Sequence, residues 1–109
     1  MSDVIKVDDS NFEAEVLNSN LPVLVDLGAP WCAACVRQLP IVEKFATDNL
    51  GKYKVVSVDI DDAPSIVSRY SIKSVPTLAL FNEGKSLGFK VGLTVLAEIN
   101  NFVSSKIGS

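Results

Sequence analysis

The sequence predicts an α/β fold in which a central mixed sheet of five strands is covered on both faces by four helices. Short, β-branched apolar segments alternate with segments of helical periodicity through most of the chain, which is typical of parallel strands joined by helices. A hairpin pattern and a last amphipathic segment follow them, and the hairpin adds an antiparallel pair of strands to the sheet.

Length and composition predict one domain that spans residues 1–109. Apolar residues make up 48% and charged residues 21% of the chain, and no linker, repeat or low-complexity segment divides it. A chain of this length can bury a sizeable core without metals or several disulfides. Its two cysteines are therefore not needed as a scaffold.

Charge and hydropathy argue against nucleic acid and membrane as partners. The net charge is −3 and the ten Lys and Arg residues are scattered, so no basic face for nucleic acid is expected. The start lacks the pattern of a signal peptide, and the longest apolar runs are far too short to cross a bilayer. We therefore expect a cytoplasmic protein. In a reducing compartment a cysteine pair is more often catalytic or metal-binding than structural.

The elements can be placed from periodicity and from their end signals. Strands are predicted at residues 4–7, 22–27, 55–60, 77–81 and in a fifth segment that ends near 91, and helices at 11–17, 32–49, 64–70 and from 94 onward. Ser10 and Glu13 have the spacing of a capping box for the first helix. Pro64 suits the first turn of the third helix, and Thr94 can cap the last one.

Helical spacing also predicts which residues face the core. These are Phe12, Val16 and Leu17 in the first helix, Leu39, Val42, Phe45 and Ala46 in the second, and Leu96, Ile99, Phe102, Val103 and Ile107 in the last. Pro40 lies inside the second helix and should kink it, because proline removes an amide and collides with the preceding turn. The segment 82–85 has the composition of a hairpin turn.

The motif Cys32-Ala33-Ala34-Cys35 lies where a buried strand is followed by a helix. A thiol at a helix N-terminus faces unpaired backbone amides and the positive end of the helix dipole, so the pKa of Cys32 should fall below that of a free cysteine. Cys35 lies one turn later on the same side and can close a disulfide with Cys32. Cys32 can then attack a substrate disulfide, and Cys35 can resolve the mixed disulfide.

Two alternatives remain open for this pair. The cysteines could be packed as small apolar residues, or they could form half of a zinc site. Zinc prefers four Cys or His ligands, whereas the chain has two Cys and no His. A C-x-x-C motif that opens a helix in a cytosolic βαβ pattern favours the redox pair.

Asp26 interrupts an otherwise apolar strand just ahead of the motif. A carboxylate buried there is costly, so its pKa should rise and it can hold a proton near neutral pH. Strand pairing allows it to approach the helix start on the Cys35 side, where it can take the proton of that thiol. The alternative is a hydrated acid at the end of the strand.

Two further features lie near the motif. Trp31 is expected at an exposed rim, where it either contacts substrate or covers the edge of the core. Val75-Pro76-Thr77 precedes a strand, where proline is often simple punctuation. A cis bond before Pro76 would form a tight bend that leaves the Val75 backbone free to pair with an extended substrate, although the pattern alone favours trans.

The run from Val25 to Cys35 resembles the active-site segment of the thioredoxin family, with Asp26, Ala29, Trp31 and both cysteines in register. Pro40 resembles the family's helix proline, Val75-Pro76-Thr77 its cis-proline loop, Gly84 its hairpin glycine and Gly92 the glycine beside its substrate groove. The resemblance covers essentially the whole chain. It implies the thioredoxin fold and a cis bond at Pro76.

The resemblance also implies an activity and its partners. A thioredoxin reduces protein disulfides through its cysteine pair, binds no separate cofactor, and is recharged by a thioredoxin reductase that uses NADPH. Substrate contacts would come from Trp31, Val75, Pro76, Thr77 and Gly92. We expect a monomer that contacts neither nucleic acid nor membrane.

Three departures from the family pattern are visible. Ala33-Ala34 replaces the usual Gly-Pro, Leu27-Gly28 replaces Phe-Trp, and Ser57 stands where many bacterial members have lysine. They bear on the redox potential, on packing over the site and on the tuning of Asp26, respectively. A more oxidising disulfide exchanger or a non-catalytic interaction module remain alternatives, and the retained cysteines, Asp26 and Pro76 argue against the module.

Overall fold

Five strands form one mixed sheet in the computed structural model, which describes residues 2–108. They are β1 (Ile5–Val7), β2 (Val23–Gly28), β3 (Lys54–Asp59), β4 (Thr77–Asn82) and β5 (Lys85–Val91), and their order in the sheet is β1-β3-β2-β4-β5. β3 pairs in parallel with β1 and β2, whereas β4 is antiparallel to both β2 and β5. The predicted mixed sheet of five strands is confirmed.

Four helices cover the sheet. They are a one-turn π-helix (Glu13–Leu17), α1 (Ala33–Asp48), α2 (Pro64–Arg69) and α3 (Leu96–Ile107), and a 3₁₀ turn at Ile60–Asp62 follows β3. Every boundary lies within two residues of its prediction, as expected where caps and fraying blur the ends of elements. No helix within the described range is long and apolar enough to cross a membrane.

Alternation along the strands divides the core between the two faces of the sheet. The face covered by the π-helix and α2 buries Phe12, Val16, Val25, Leu27, Val56, Val58, Ile66, Ala79 and Phe81. The face covered by α1 and α3 buries Leu24, Val42, Phe45, Ala46, Val55, Leu78, Leu80, Ile99, Phe102 and Val103. Each large apolar side chain buried in this way stabilises the fold by about 1.5–3 kcal/mol. Asp26 is two residues after Leu24 on β2, so its side chain lies on the same face of the sheet, which α1 covers. Asp26 therefore faces the helix that carries Cys35.

Two predicted caps are wrong. Ser10 does not cap the first helix, because its hydroxyl donates to Asp8 within the preceding turn, and the helix begins at Glu13 without a side-chain cap. Thr94 does not cap α3, which begins after Val95 without a side-chain cap. Its hydroxyl donates instead to Gly92 O at 2.9 Å. In both cases the helix begins later than the spacing predicts, and the N-cap positions are occupied by Phe12 and Val95, whose side chains cannot accept a hydrogen bond.

One predicted core residue is also wrong. Leu39 is 39% exposed, and Gln38 occupies the inward position on α1 with none of its surface exposed. The buried positions of α1 are 35, 38, 42, 45 and 46, and at about 100° per residue position 39 lies just outside the edge of that stripe, about 20° beyond position 46. Pro40 lies within α1, which continues without a break through Asp48. The kink stays a prediction.

Sequence patterns also missed the cap of α2. Both carboxylate oxygens of Asp9 accept backbone amides in its first turn, from Ser65 at 2.9 Å and from Ile66 at 3.1 Å. This cap comes from the turn after β1, more than fifty residues away, so no local spacing rule could identify it. The β4–β5 turn is formed by Glu83 and Gly84 at φ 53° and 78°, a left-handed pair that favours glycine.

Candidate active site

The cysteine motif is built at the point where β2 ends and α1 begins. Cys32 is the N-cap of α1, with the extended backbone (φ −104°, ψ 111°) that is usual for that position. Its Sγ accepts a hydrogen bond from the Cys35 amide at 3.2 Å. One of the amides that the helix leaves unpaired therefore points at this sulfur, and so does the positive end of the helix dipole.

Cys32 and Cys35 are joined by a disulfide. Their Cα atoms lie 5.2 Å apart, within the range that a disulfide can bridge without backbone movement. Across residues 2–108 no group of three or more His, Cys, Asp and Glu side chains is placed to hold a metal ion. The arrangement is that of a redox pair.

The two sulfurs differ in accessibility. Cys32 is partly exposed, whereas Cys35 is only 7% exposed and belongs to the buried stripe of α1. A substrate disulfide can therefore reach the first sulfur far more readily than the second.

Asp26 is buried beneath this helix start, with 6% of its surface exposed. Its register partners are Ser57 on β3 and Leu78 on β4. Its Oδ1 receives a hydrogen bond from none of the described residues. Burial disfavours the charged carboxylate and raises the pKa of Asp26 from 3.8 to about 7. The predicted buried acid is present, and it titrates where a proton acceptor is useful at neutral pH.

A cavity of about 250 Å³ lies between this acid and Cys35. Asp26 and Cys35 both line it, as do Gly28 and Ser57. A Cβ on Gly28 would lie 3.2 Å from Cys35 Cβ and 3.3 Å from its Sγ, so glycine lets Cys35 pack tightly against the end of β2. Lys6 of β1 lies opposite Ser57 in the sheet and lines the same cavity.

The Val75–Pro76 segment lies beside Cys32. Its peptide bond is cis, and Val75 O is 3.8 Å from Cys32 Sγ. Pro76 O accepts a hydrogen bond from the Gly92 amide at 2.8 Å. The backbone at Gly92 therefore lies directly beside the Val75–Pro76 segment. Thr77 is 3% exposed and its hydroxyl donates to Ser74 O at 2.8 Å. Thr77 therefore stabilises the segment from Ser74 to Pro76 through this hydrogen bond.

Trp31 directly precedes Cys32 and is 67% exposed. Its Nε1 donates to Asp61 Oδ2 at 2.9 Å, which fixes the ring plane while leaving the face of the indole open. Ala33 and Ala34 occupy the first two positions of α1 between the cysteines. Of the predicted site residues, Val75 thus lies beside Cys32, whereas Asp26 lies beside Cys35 in the cavity.

Sequence patterns missed two residues at this site. Asp61 lies in the 3₁₀ turn after β3, and no pattern could pair it with Trp31 across thirty residues. Gln38 left a visible signal, because it is a polar residue at the spacing of the buried stripe that includes Cys35 and Val42. Its contacts with the loop after β5 were not foreseeable from sequence.

Comparisons with known proteins agree with this geometry. The sequence model of the thioredoxin family matches residues 3–105. A thioredoxin of Haemophilus influenzae is 34% identical over 107 residues, which cover 98% of this chain and 100% of that protein. Thioredoxin 1 of a Nostoc species is 46% identical over 92 residues, or 84% of this chain and 86% of the relative. A thioredoxin of Rickettsia bellii is 46% identical over 99 residues, or 87% and 94% of the two chains.

Proposed function

The chain belongs to the thioredoxin family and is a dithiol–disulfide oxidoreductase, and we propose that within this activity Cys32 attacks protein disulfides and Cys35 resolves the adduct. The unequal placement of the two sulfurs supports these roles. Cys32 is accessible and receives the Cys35 amide at 3.2 Å, whereas Cys35 is buried. A nucleophile needs access and a stabilised thiolate, and a resolving thiol needs only its neighbour.

The reaction transfers two electrons to the substrate. The Cys32 thiolate attacks one sulfur of the substrate disulfide, so a Cys32–substrate bond forms and the first substrate thiolate leaves. Cys35 then loses its proton and attacks Cys32 Sγ, which forms the Cys32–Cys35 disulfide and releases the second substrate thiolate. The product state of the protein is the disulfide seen in the structure.

Asp26 is proposed as the group that accepts the Cys35 proton. It lines the same cavity as Cys35, and burial raises its pKa to about 7. A base is most useful when its pKa lies near the working pH, because enough of it is ionised and proton transfer remains favourable.

Substrate peptide is proposed to bind in the groove beside Cys32. Trp31 offers an exposed aromatic face on one side, and the backbones of Val75 and Gly92 lie on the other. An extended chain can pair with such a backbone as an added strand. Pro76 and Thr77 are buried and shape this wall from beneath.

The remaining parts of the proposal concern the cellular setting. A thioredoxin reductase that uses NADPH would return Cys32–Cys35 to the dithiol form, with no cofactor bound to this chain. Only two cysteines are present and both serve the redox pair, which suits a monomer working in the reducing cytoplasm.

The test is turnover with two electron donors. The protein is expected to accelerate reduction of insulin disulfides by dithiothreitol, and to couple NADPH oxidation to insulin reduction when a bacterial thioredoxin reductase is added. Protein alkylated with iodoacetamide after reduction is the control and should be inactive. Failure with both donors would support the non-catalytic interaction module, and failure with the reductase alone would contradict only the recharging step.

The Ala33-Ala34 pair supports a cysteine pair that is more oxidising than one with Gly-Pro between its cysteines. We expect a reduction potential above roughly −270 mV, the reference value for thioredoxin, and below roughly −120 mV, the reference value for a dedicated oxidant. Proline at position 34 would remove one of the free first-turn amides that help to stabilise the Cys32 thiolate. The double variant A33G/A34P should therefore lower the potential by tens of millivolts in a glutathione titration. An unchanged or higher potential would show that these residues do not tune the site.

A further inference from the structure

Gln38 is a polar side chain in the middle of a buried helix face. It lies on α1 one turn after Cys35 and one turn before Val42, and all of its surface is buried. A carboxamide in such a position is strongly unfavourable unless both its donor and its acceptor are satisfied. An apolar side chain would fill the same space without that requirement.

Both ends of the Gln38 carboxamide bond to the backbone of one distant residue. Nε2 donates to Thr94 O at 2.9 Å, and Oε1 accepts from Thr94 N at 2.8 Å. Thr94 is 1% exposed, so these bonds satisfy two backbone groups that water does not reach. The side chain pairs with Thr94 as a neighbouring strand would.

Thr94 lies in the segment 92–95, here called the Gly92 loop, which connects β5 to α3. The Thr94 hydroxyl donates to Gly92 O, and the Gly92 amide donates to Pro76 O at 2.8 Å. Val75 O, one residue before Pro76, lies 3.8 Å from Cys32 Sγ. A continuous series of contacts therefore runs from α1 through Gln38 and the Gly92 loop to the wall of the groove.

We propose that Gln38 is a positioning residue that fixes the Gly92 loop against the cysteine-bearing helix and so holds the peptide groove in register with Cys32. The inference rests on the proposed binding of substrate backbone along Val75 and Gly92. An extended polypeptide needs both walls in place. A small disulfide that approaches Cys32 alone does not, so Gln38 favours protein substrates over small ones.

The variant Gln38→Met tests this directly, because methionine has nearly the same length and removes both hydrogen bonds. Reduced protein is mixed with excess insulin or with the small aromatic disulfide 5,5′-dithiobis(2-nitrobenzoate), and the second-order rate constant of each single turnover is measured. The rate constant with insulin should fall about tenfold and that with the small disulfide by less than twofold. Amide hydrogen exchange should accelerate at Thr94 beyond any general change.

Val42→Ala is the matched control, because Val42 is equally buried on the same helix and does not contact the Gly92 loop through a hydrogen bond. It should leave the ratio of the two rate constants unchanged. A ratio that stays constant in Gln38→Met, or that shifts equally in Val42→Ala, would overturn the inference. If Gln38→Met does not fold, Gln38→Leu also removes both hydrogen bonds to Thr94 with an apolar side chain, and the same shift in ratio is required of it.

Pro76→Ala, measured in parallel, separates this inference from the proposed function. A shifted ratio in Pro76→Ala together with a constant ratio in Gln38→Met would overturn the role of Gln38 and leave the groove intact. A constant ratio in both variants would overturn the groove and the role of Gln38 together.

Discussion

Replacement of Cys35 by serine is expected to trap substrate on the protein as a covalent adduct. Cys32 remains accessible at the start of α1 and can still attack, but no thiol is left to resolve the mixed disulfide. Incubation of C35S with insulin should therefore accumulate a higher-mass species on non-reducing gels, which dithiothreitol releases. Multiple-turnover reduction should fall by more than about 10³-fold, because each molecule reacts once.

C32S is the matched control and should give the opposite pattern. It loses the same turnover, but the thiol that remains is buried at 7% exposure, so adducts should not accumulate. Serine differs from cysteine by one atom at either position, so a general loss of structure would affect both variants alike. Equal trapping by C32S and C35S would reverse or abolish the assignment of roles.

The part of this fold that the sequence predicted is the part encoded by local patterns. Short apolar, β-branched runs and the hairpin pattern located all five strands, and the helical stripe located α1 and α3. The strand order within the sheet and the position of Asp26 beneath α1 follow from pairing, which the alternating elements restrict to few arrangements. The cysteine motif could be placed at a helix start because C-x-x-C follows a strand.

The errors occur at the ends of helices and at a contact between residues that are distant in sequence. Ser10 and Thr94 have the composition of caps, but the two helices begin farther along the chain, with Phe12 and Val95 at their N-cap positions. Gln38 has the spacing of the buried stripe but was not identified as a core residue, and its two hydrogen bonds to Thr94 satisfy its carboxamide there. Local spacing contains no information about the contact between Gln38 and Thr94, because the fold alone brings these two residues together.

Replacement of Asp26 by asparagine is expected to change stability in a pH-dependent way. Burial raises the pKa of Asp26 to about 7, whereas an unfolded chain ionises near 3.8. Between these values the unfolded state loses its proton first, so ionisation favours unfolding and the stability of the wild type relative to D26N falls as pH rises. The loss should reach on the order of 4 kcal/mol near pH 8 and level off there, since one pKa unit corresponds to about 1.4 kcal/mol.

The measurement is urea unfolding of both proteins from pH 4 to pH 8, compared pair by pair so that all other titrating groups cancel. D26N should be the more stable protein at pH 8, because it removes a buried acid that has no hydrogen-bond partner at Oδ1. At the same pH it should resolve the Cys32–substrate adduct about tenfold to a hundredfold more slowly, since the proton of Cys35 has lost its acceptor. Gain of stability and loss of rate come from the same carboxyl group. A flat stability difference across this range, or a carboxyl resonance that titrates near pH 4 by NMR, would contradict both.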